Sequence, residues 1–123
     1  MTANTPSSRK AKGRKFQQWV ADRIGKVLHI PVGKDKDIES REMGQSGVDI
    51  KLYGEAKKKF RYSVEVKRQE NLSIPAWIKQ AKTNQEKGTD WLLFSKRNQE
   101  DPIVIMDADT FFRLVKKSLK GGR

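Results

Sequence analysis

The sequence predicts an α/β or α+β domain in which a mixed β-sheet is flanked by helices. The first observation behind this prediction is the order of the patterns. Helical periodicity opens the chain, and short β-like runs then alternate with two further helical segments. The second observation is that the connecting segments are short, as they are in compact domains. The length of 123 residues suits one domain, and 35% hydrophobic residues suffice for a small core.

Three segments have the pattern of helices. Residues 10–28 place apolar side chains at steps of three and four, the period of a helix with one buried face. Residues 74–85 form the second predicted helix, with Ser73 as N-cap and Pro75 in its first turn. Residues 110–119 form the third, with Asp109 as N-cap. The repeating apolar residues of the first helix are Phe16, Trp19, Val20, Ile24 and Val27.

Five runs predict strands, and turn or breaker residues separate them. The runs cover residues 37–43, 48–54, 62–67, 91–96 and 101–107. Pro31 and Gly33 end the first helix, and the GQSG sequence at 44–47 is typical of a turn. Residues 55–61 are expected to be a basic connector. We expect residues 1–9 to be a disordered polar tail and residues 119–123 a basic tail, with one domain between them at 10–118.

The net charge indicates what kind of partner the protein binds. Twenty-seven basic and 15 acidic residues give a formal charge of +12, which is more than solubility requires and implies a polyanionic partner. Nucleic acid is the first candidate. An anionic membrane surface is the alternative, but no apolar run approaches the length of a membrane-spanning helix or a signal-peptide core. We therefore expect a cytoplasmic protein without membrane association.

The absence of cysteine and the single histidine, His29, restrict the chemistry of any site. Disulfides, thiolate metal sites and cysteine nucleophiles are excluded, and so is a zinc site built from several histidines. His29 itself lies at the end of the first predicted helix and is expected to be structural or simply exposed. Any bound metal must be a hard cation held by oxygen atoms.

Two acids occupy positions that a simple phosphate-binding protein would not use. Asp49 and Glu65 each lie between two apolar residues of a predicted strand, so both point away from the apolar face. If the two strands pair, their carboxylates come close enough to share a divalent cation. Lys67 lies on the same face and can stabilise charge on a phosphate. The Glu-x-Lys pattern alone is better explained by a solvated edge strand, and the matching position of Asp49 makes the two explanations about equal.

The sequence around these residues resembles a known family. GVDI at 47–50 followed by VEVK at 64–67 is similar to the signature of PD-(D/E)xK nucleases. KGRKFQQWV at 12–20 resembles the opening helix of archaeal Holliday junction resolvases. Together with DIESREMGQSGVDI, SVEVKRQENLSI, AWIKQA and WLLFSKRN, these segments are similar to a group of small phage-encoded PD-(D/E)xK endonucleases. The resemblance covers most of residues 12–115.

The resemblance implies a restriction-endonuclease-like core with a central mixed β-sheet, and phosphodiester hydrolysis that depends on Mg²⁺, with Mn²⁺ as a substitute. It assigns Asp49 and Glu65 as metal ligands together with the backbone carbonyl of Val66. It assigns to Lys67 the orientation of the attacking water and the stabilisation of developing negative charge. These roles are implied by the resemblance.

The chain departs from the family in its first helix. Gln17 occupies the region where the archaeal resolvases place a glutamate, and it is counted here among the catalytic candidates. An amide adds no charge, which puts a second tightly held metal ion in doubt. Glu39 or Asp37 is an alternative source of the missing carboxylate, and the sequence does not decide between them.

Further positions are expected to contact DNA. Ser46 lies in the turn before Asp49, and Gln80 shares a predicted helix with Trp77 that should pack beside the catalytic strand. Trp19, Trp77 and Trp91 are expected to lie in the core rather than to stack on bases. The complete set of expected DNA-binding residues is Lys12, Arg14, Lys15, Ser46, Lys57, Lys58, Lys59, Arg68, Gln69 and Gln80.

The expected function is that of a structure-selective Holliday junction resolvase that acts as a homodimer, because two symmetric cuts require two related active sites. If the chain is phage-encoded, it would act in the cytoplasm of the host cell. One alternative keeps the chemistry and changes the substrate, as in a nicking, flap, replication-fork or restriction-like nuclease. Another is a non-catalytic basic protein that binds nucleic acid and whose acids are structural.

Overall fold

The computed structural model describes residues 5–121 and has an α/β architecture. Four helices and five strands follow one another within this range. In order they are α1 (Pro6–Leu28), β1 (Ile38–Ser40), β2 (Ile50–Leu52), α2 (Gly54–Lys59), β3 (Tyr62–Lys67), α3 (Ile74–Asn84), β4 (Asp90–Ser95), β5 (Ile103–Met106) and α4 (Ala108–Gly121).

The strands form two sheets where one central sheet was expected. β1 and β2 make an antiparallel pair, and β3, β4 and β5 form a second sheet in that order. In the second sheet β4 runs parallel to β3 and antiparallel to β5, so the expected mixed character is confirmed. The two sheets are assigned separately because β2 is held to β3 mainly at one residue, Asp49, just before β2 begins.

Hydrophobic side chains are buried on both faces of the larger sheet. On one face α1 packs over the small sheet and over β3, and this core contains Phe16, Val20, Ile24, Ile38, Ile50 and Val64. On the other face α3 covers β4, and this core contains Trp77, Ala81, Trp91 and Leu93. β3 therefore runs between two helical layers, and its alternate residues face different cores.

The strand prediction at 62–67 is confirmed in full, and the second predicted helix is confirmed to within one residue. The first helix begins at Pro6, so the predicted disordered tail is wrong for residues 6–9. Thr5 caps this helix by accepting a hydrogen bond from the Ser8 backbone N–H at 3.1 Å, and Pro6 suits the first helical turn. Residues 1–4 of the predicted tail lie outside the described residues.

The segment predicted as a basic connector contains a helix, α2. Its first turn is capped by a residue that lies 18 positions earlier in the chain. The Asp37 carboxylate accepts a hydrogen bond from the Glu55 backbone N–H at 3.1 Å. Ala56 is the fully buried residue of this helix. The sequence pattern gave no signal for this helix since its cap lies 18 residues earlier in the chain.

The C-terminal helix also differs from its prediction. α4 begins at Ala108, so Asp109 lies in the first turn and is not the N-cap. The helix continues to Gly121, so residues 119–121 of the predicted basic tail are helical. Residues 122–123 lie outside the described range. Of the described α4 residues only Thr110 is buried.

The tryptophans divide into two groups. Trp77 and Trp91 are buried, as predicted. Trp19 is 37% exposed, so the prediction that it belongs to the core is wrong. It lies on the outer side of α1, between the ring of Phe16 and the guanidinium of Arg23. Across residues 5–121, none of the helices combines the length and the apolarity that crossing a membrane would require.

Candidate active site

A cleft of about 930 Å³ brings many of the predicted site residues together. It lies between the N-terminal half of α1, the loop between β1 and β2, the C-terminal end of β3, and α3. The predicted site residues that line it are Lys12, Gln17, Ser46, Asp49, Glu65, Val66, Lys67, Arg68, Gln69 and Gln80. These residues come from four separate parts of the chain.

Asp49 is fixed at the junction of the two sheets. Its backbone N–H donates to the Val64 carbonyl at 2.9 Å, and its carboxylate Oδ2 accepts from the Val66 N–H at 2.7 Å. In a regular parallel ladder the backbone carbonyl of Asp49 would accept that second bond. Here the carbonyl already accepts from the Arg41 N–H at 2.8 Å, so the side chain takes its place. This arrangement sets Asp49 opposite Glu65.

Glu65 is the most deeply buried carboxylate of the cleft, with only 3% of the residue exposed. Its Oε1 accepts a hydrogen bond from the Asn84 amide of α3 at 3.3 Å. Burial and the neighbouring Asp49 charge together raise the pKa of Glu65 to about 7, and burial also raises the pKa of Asp49. The two carboxylates therefore repel one another in a partly dehydrated site.

The donor set of this pair fits a divalent cation. Two carboxylates that repel each other are stabilised when a hard cation lies between their oxygen atoms, and Mg²⁺ or Mn²⁺ prefers such ligands. Among residues 5–121, no group of three or more His, Cys, Asp or Glu side chains has the arrangement of a metal site. Any remaining ligands would therefore be backbone carbonyls, waters or substrate oxygens, as is usual for Mg²⁺.

Lys67 is oriented by α3. Its ammonium Nζ donates to the Gln80 amide oxygen at 2.6 Å, and both residues line the cleft beside Glu65. The expectation that Gln80 lies beside the catalytic strand agrees with this contact. Because a lysine side chain is long and flexible, a fixed acceptor reduces the number of positions its charge can occupy.

Gln17 lines the cleft but serves mainly as a brace. It is 4% exposed, and its Nε2 lies 2.8 Å from the Ser40 hydroxyl, 2.6 Å from the Arg41 carbonyl and 3.1 Å from the Asp49 carbonyl. All three neighbours are acceptors in this geometry. A glutamate at this position would face oxygen atoms without a proton to donate, which explains why an amide stands here. Gln17 positions Asp49 through the backbone.

The loop before Asp49 is closed by Arg41. The Arg41 Nε donates to the Val48 carbonyl, while its backbone N–H bonds to Asp49. Gly47 has φ +102°, and a Cβ there would lie 3.1 Å from the Arg41 guanidinium. The hydrogen-bonded turn spans residues 42–45, where the Gln45 N–H donates to the Glu42 carbonyl at 3.3 Å, so it begins two residues before the predicted turn at 44–47. Residues 46–47 form a bend, and Ser46 is exposed at the cleft. The loop shape therefore depends on glycine at position 47.

Several predicted residues lie away from the cleft. The Glu39 carboxylate is 3.5 Å from the Lys51 ammonium, and Asp37 caps α2, so the structure places neither of these acids among the cleft-lining residues. Arg14 is exposed on α1, outside the cleft lining. The three lysines of α2 are exposed, and none of them lines the cleft; they are Lys57, Lys58 and Lys59.

Val66 borders the cleft, and it is the backbone N–H of this residue that contacts Asp49. The backbone carbonyl of Val66 stays a predicted metal ligand. Several further residues of the site were not identified from the sequence. Among them are Asn84, which donates to Glu65, Arg41, which closes the loop, and Glu42, which lines the cleft.

The sequence held no local signal for Asn84, because it lies 19 residues from Glu65 and meets it only through the packing of α3. Arg41 and Glu42 belong to the DIESREM segment, which the sequence analysis treated as a strand.

A second, smaller cavity of about 260 Å³ adjoins the cleft, and the two share Lys12 and Arg68. Its apolar lining comes from Phe16, Trp19 and Pro102, and its cations include Lys15 and Lys96. The exposed Trp19 therefore borders a cationic cavity next to the carboxylates.

Compared with known proteins, the chain matches no protein-family model, no curated protein and no solved structure. Its function must therefore be argued from the residues of the cleft and from their geometry.

Proposed function

We propose that the protein is a metal-dependent DNA endonuclease of the PD-(D/E)xK type, with a restriction-endonuclease-like core, that cuts branched DNA. The observation that carries the proposal is the position of Asp49 opposite Glu65, with Lys67 one strand repeat further along β3 and all three in one cleft. This is the juxtaposition that the signature requires. The net charge of +12 supports a nucleic acid as the substrate.

In this proposal Asp49 and Glu65 hold Mg²⁺, or Mn²⁺ in its place. The cation would polarise the scissile phosphate and offset its charge. Lys67, held by Gln80, orients the attacking water and stabilises the negative charge that develops on the phosphate. Gln17 and Arg41 keep Asp49 at the end of its strand. Each of these roles belongs to an atom whose position the surrounding hydrogen bonds restrict.

The cations around the cleft support DNA as the substrate. Arg9, Lys10 and Lys12 line its α1 side, and Arg68 lines it from the end of β3. The acids Asp49 and Glu65 are recessed in comparison, whereas Glu42 and Glu70 are exposed in the same lining and Glu70 pairs with Arg68 at 2.7 Å. The cations of α1 are therefore the main candidates for contact with a phosphate backbone. A single domain of this size has little surface for reading bases, which favours recognition of DNA shape. A four-way junction is the substrate that this proposal names, with two chains making two symmetric cuts.

The proposal is tested by incubating the protein with a four-way junction, a flap and a linear duplex, first with Mg²⁺ and then with EDTA. Paired symmetric nicks in the junction that disappear with EDTA are expected. Cutting of the flap alone would move the assignment to a flap nuclease. Cutting of the linear duplex as well would indicate a restriction-like or nicking enzyme. If no substrate is cut in Mg²⁺ or Mn²⁺, the proposed chemistry is wrong and a non-catalytic binding protein remains.

Site variants make this test specific. Asp49→Asn and Glu65→Gln should abolish cutting while DNA binding stays equal or becomes tighter, because each change removes a negative charge that repels phosphate. Glu55→Gln is the matched control, since Glu55 lies on exposed α2 outside the cleft lining. Equal loss of cutting in all three variants would indicate a general charge effect and would contradict the site assignment.

A further inference from the structure

The smaller cavity beside the cleft combines aromatic rings with cations. Phe16 and Trp19 of α1 contribute the rings, whose planes are inclined by 23° and whose centroids are 5.9 Å apart. Trp19 is exposed, although tryptophan is highly buried on average. The Arg23 guanidinium lies 4.5 Å from the centroid of the Trp19 ring and is not among the described lining residues, so it holds the ring from outside the cavity.

The cations of the smaller cavity exceed its acids. Its lining includes Lys12, Lys15, Arg68 and Lys96, and no aspartate or glutamate is among the described residues of that lining. Arg68 forms an ion pair with Glu70 at 2.7 Å. In the described part of the chain, none of the three lysines forms a salt bridge with an acid. The cavity therefore has an excess of positive charge next to an aromatic surface.

Asn98 brings two of these cations together at the border between the smaller cavity and the cleft. Its side-chain oxygen accepts a hydrogen bond from the Lys12 ammonium at 3.2 Å and from the Arg68 guanidinium at 2.6 Å. Both cations line the cleft as well as the smaller cavity. Two cations on one neutral oxygen repel each other, and an anion beside them offsets this repulsion. A phosphate bound at this border lies between the two carboxylates of the cleft and the aromatic rings.

The chemistry that fits the smaller cavity is that of a nucleotide, which has a flat base for the rings and a phosphate for the cations. Bases of any identity stack on aromatic side chains, because every base has a π face. The volume restricts the ligand further. Pockets for complete small molecules usually have about 300 to 1,000 Å³, whereas this cavity has about 260 Å³. The cavity therefore suits one nucleotide of a strand that continues into the cleft.

We propose that the smaller cavity binds one unpaired base of the DNA strand that enters the cleft. The base contacts the rings of Trp19 and Phe16, and its phosphate contacts Lys12 and Arg68. A paired base is held inside the duplex stack and cannot reach such a cavity, so the bound base must be unpaired. Branched DNA has such bases where its strands separate. The inference rests on the proposed function for the choice of DNA, and it adds a preference for an unpaired nucleotide next to the scissile phosphate.

Removing the base and removing the ring, separately and together, tests this contact. Binding is measured in EDTA by fluorescence anisotropy, with a forked duplex that has either normal or abasic nucleotides at the first three unpaired positions. The abasic fork should bind the wild type roughly 10- to 100-fold more weakly, because stacking on the rings is lost. Trp19→Leu should bind both forks with similar, weak affinity, since leucine still covers Phe16 but has no flat π face. Equal discrimination between the forks by wild type and Trp19→Leu would overturn the proposal.

Two further variants make the test specific to the ring. Trp19→Phe keeps a flat ring and should retain most of the difference between the two forks. Phe111→Ala is the matched control, because it removes another exposed aromatic side chain from α4, which contributes no described residue to either cavity. It should discriminate between the forks as the wild type does. Thermal melts followed by circular dichroism check that each variant is folded.

A fluorescent base gives a measurement that needs no variant. The base analogue 2-aminopurine, placed in turn at the same three positions, should lose fluorescence at one of them when the wild-type protein binds, because stacking on an aromatic ring quenches it. Unchanged fluorescence at all three positions would overturn the proposal. Free deoxyadenosine monophosphate at about 0.1 mM should not displace the fork, because it lacks the phosphates that continue into the cleft. Displacement would make a free nucleotide the occupant and would also overturn the proposal.

The result is separable from the test of cutting, because binding in EDTA requires no metal ion. If the fork is bound through its unpaired base but no DNA is cut in Mg²⁺ or Mn²⁺, the nuclease proposal fails and the base-binding cavity stands. If DNA is cut in Mg²⁺ but the abasic fork binds as tightly as the normal one, this inference alone is overturned.

Discussion

The two faces of β3 are both buried, but they are buried for different reasons. On one face Val64 packs into the core beneath α1, where its contacts are apolar. On the other face Ser63 and Glu65 are buried beneath α3 and the segment that follows it. An apolar side chain gains free energy from this burial, whereas a carboxylate loses free energy unless it is paired. The comparison shows that one strand contains a residue whose burial stabilises the fold, Val64, and a residue whose burial destabilises it, Glu65.

Of the two buried residues on the polar face, Glu65 is the one whose burial lowers the stability of the fold. The Ser63 hydroxyl lies 2.6 Å from that of Thr89 and accepts from the Glu86 N–H at 2.9 Å, so this neutral group is satisfied. Glu65 has one longer hydrogen bond, from Asn84, and a second carboxylate nearby that raises its pKa. A buried acid beside another acid is retained when it binds something positively charged. The unfavourable position of Glu65 is therefore an argument for function.

The largest expected effect is on DNA cutting, and it comes from replacing Glu65, the carboxylate on the polar face of β3. Glu65→Gln should reduce DNA cutting about 1000-fold or more, because the site loses a ligand for the cation. The same change should raise the free energy of unfolding at pH 8 in EDTA, since it removes a buried charge. Cleavage assays and urea denaturation measure the two effects on one protein preparation.

Opposite signs of these two changes would be specific to a functional carboxylate. If Glu65→Gln lowers stability as well as activity, then Glu65 is a structural residue and the comparison of the two faces fails. Glu86→Gln is a useful control, because the Glu86 side chain is exposed while its backbone N–H contacts Ser63 of the same strand. It should alter neither the cutting rate nor the stability by a measurable factor.

The apolar face should give the reverse result. Val64→Ala leaves a cavity between α1 and β3 and is expected to lower the free energy of unfolding by about 2 kcal/mol. Cutting per folded molecule should change little, since the Val64 side chain points away from the cleft. Urea denaturation at pH 6 and pH 8 should give the same loss, because Val64 packs in a cluster of apolar side chains that do not titrate. A pH-dependent loss would mean that the two faces are coupled.

The alternating pattern of β3 predicted the strand and both of its faces, but not the burial of the polar one. Residues 62–67 alternate clearly, so their conformation was determined locally. That Glu65 would be covered depends on α3, which crosses the sheet after the strand and brings Asn84 to it. Contacts between distant segments leave no local periodicity, and the same reason explains the missed helix α2.

Part of the candidate site could be predicted from the sequence, and part of it could not. Asp49, Glu65 and Lys67 could be identified because a short signature contains them, and the structure brings them into one cleft. Glu39 could not be rejected from sequence, because its pairing with Lys51 depends on the register of β1 and β2. The role of Gln17 as a brace depends on three acceptors from two later segments.

The titration of Glu65 makes the stability of the protein depend on pH, and this dependence tests whether Glu65 is buried at a cost. The folded-state pKa of about 7 lies above the ordinary value of 4.5, so the folded protein binds the proton more tightly than the unfolded chain. Stability from this group is fully present below pH 4.5 and is lost as pH rises through about 7. In EDTA, wild-type stability should therefore fall between pH 5 and pH 8, by at most about 3 kcal/mol relative to Glu65→Gln.

Thermal melts of both proteins across this pH range measure the difference. Mg²⁺ should oppose the fall at pH 8 in the wild type and have little effect on Glu65→Gln, because a cation stabilises the ionised pair. Parallel pH profiles for the two proteins in EDTA would show that Glu65 titrates normally. Its burial would then give no reason to infer a functional role.

The smallest expected effect concerns the residue that orients Lys67. Gln80→Ala should lower the cutting rate by roughly 5- to 10-fold, because the ammonium keeps its charge but loses its fixed acceptor. Stability should hardly change, since Gln80 is exposed on α3. Gln80→Glu restores an acceptor and should recover most of the rate, and the exposed neighbour Lys79 gives the control Lys79→Ala. If Gln80→Ala cuts at the wild-type rate while Lys67→Ala does not, Lys67 acts without this partner and its position is set by the substrate.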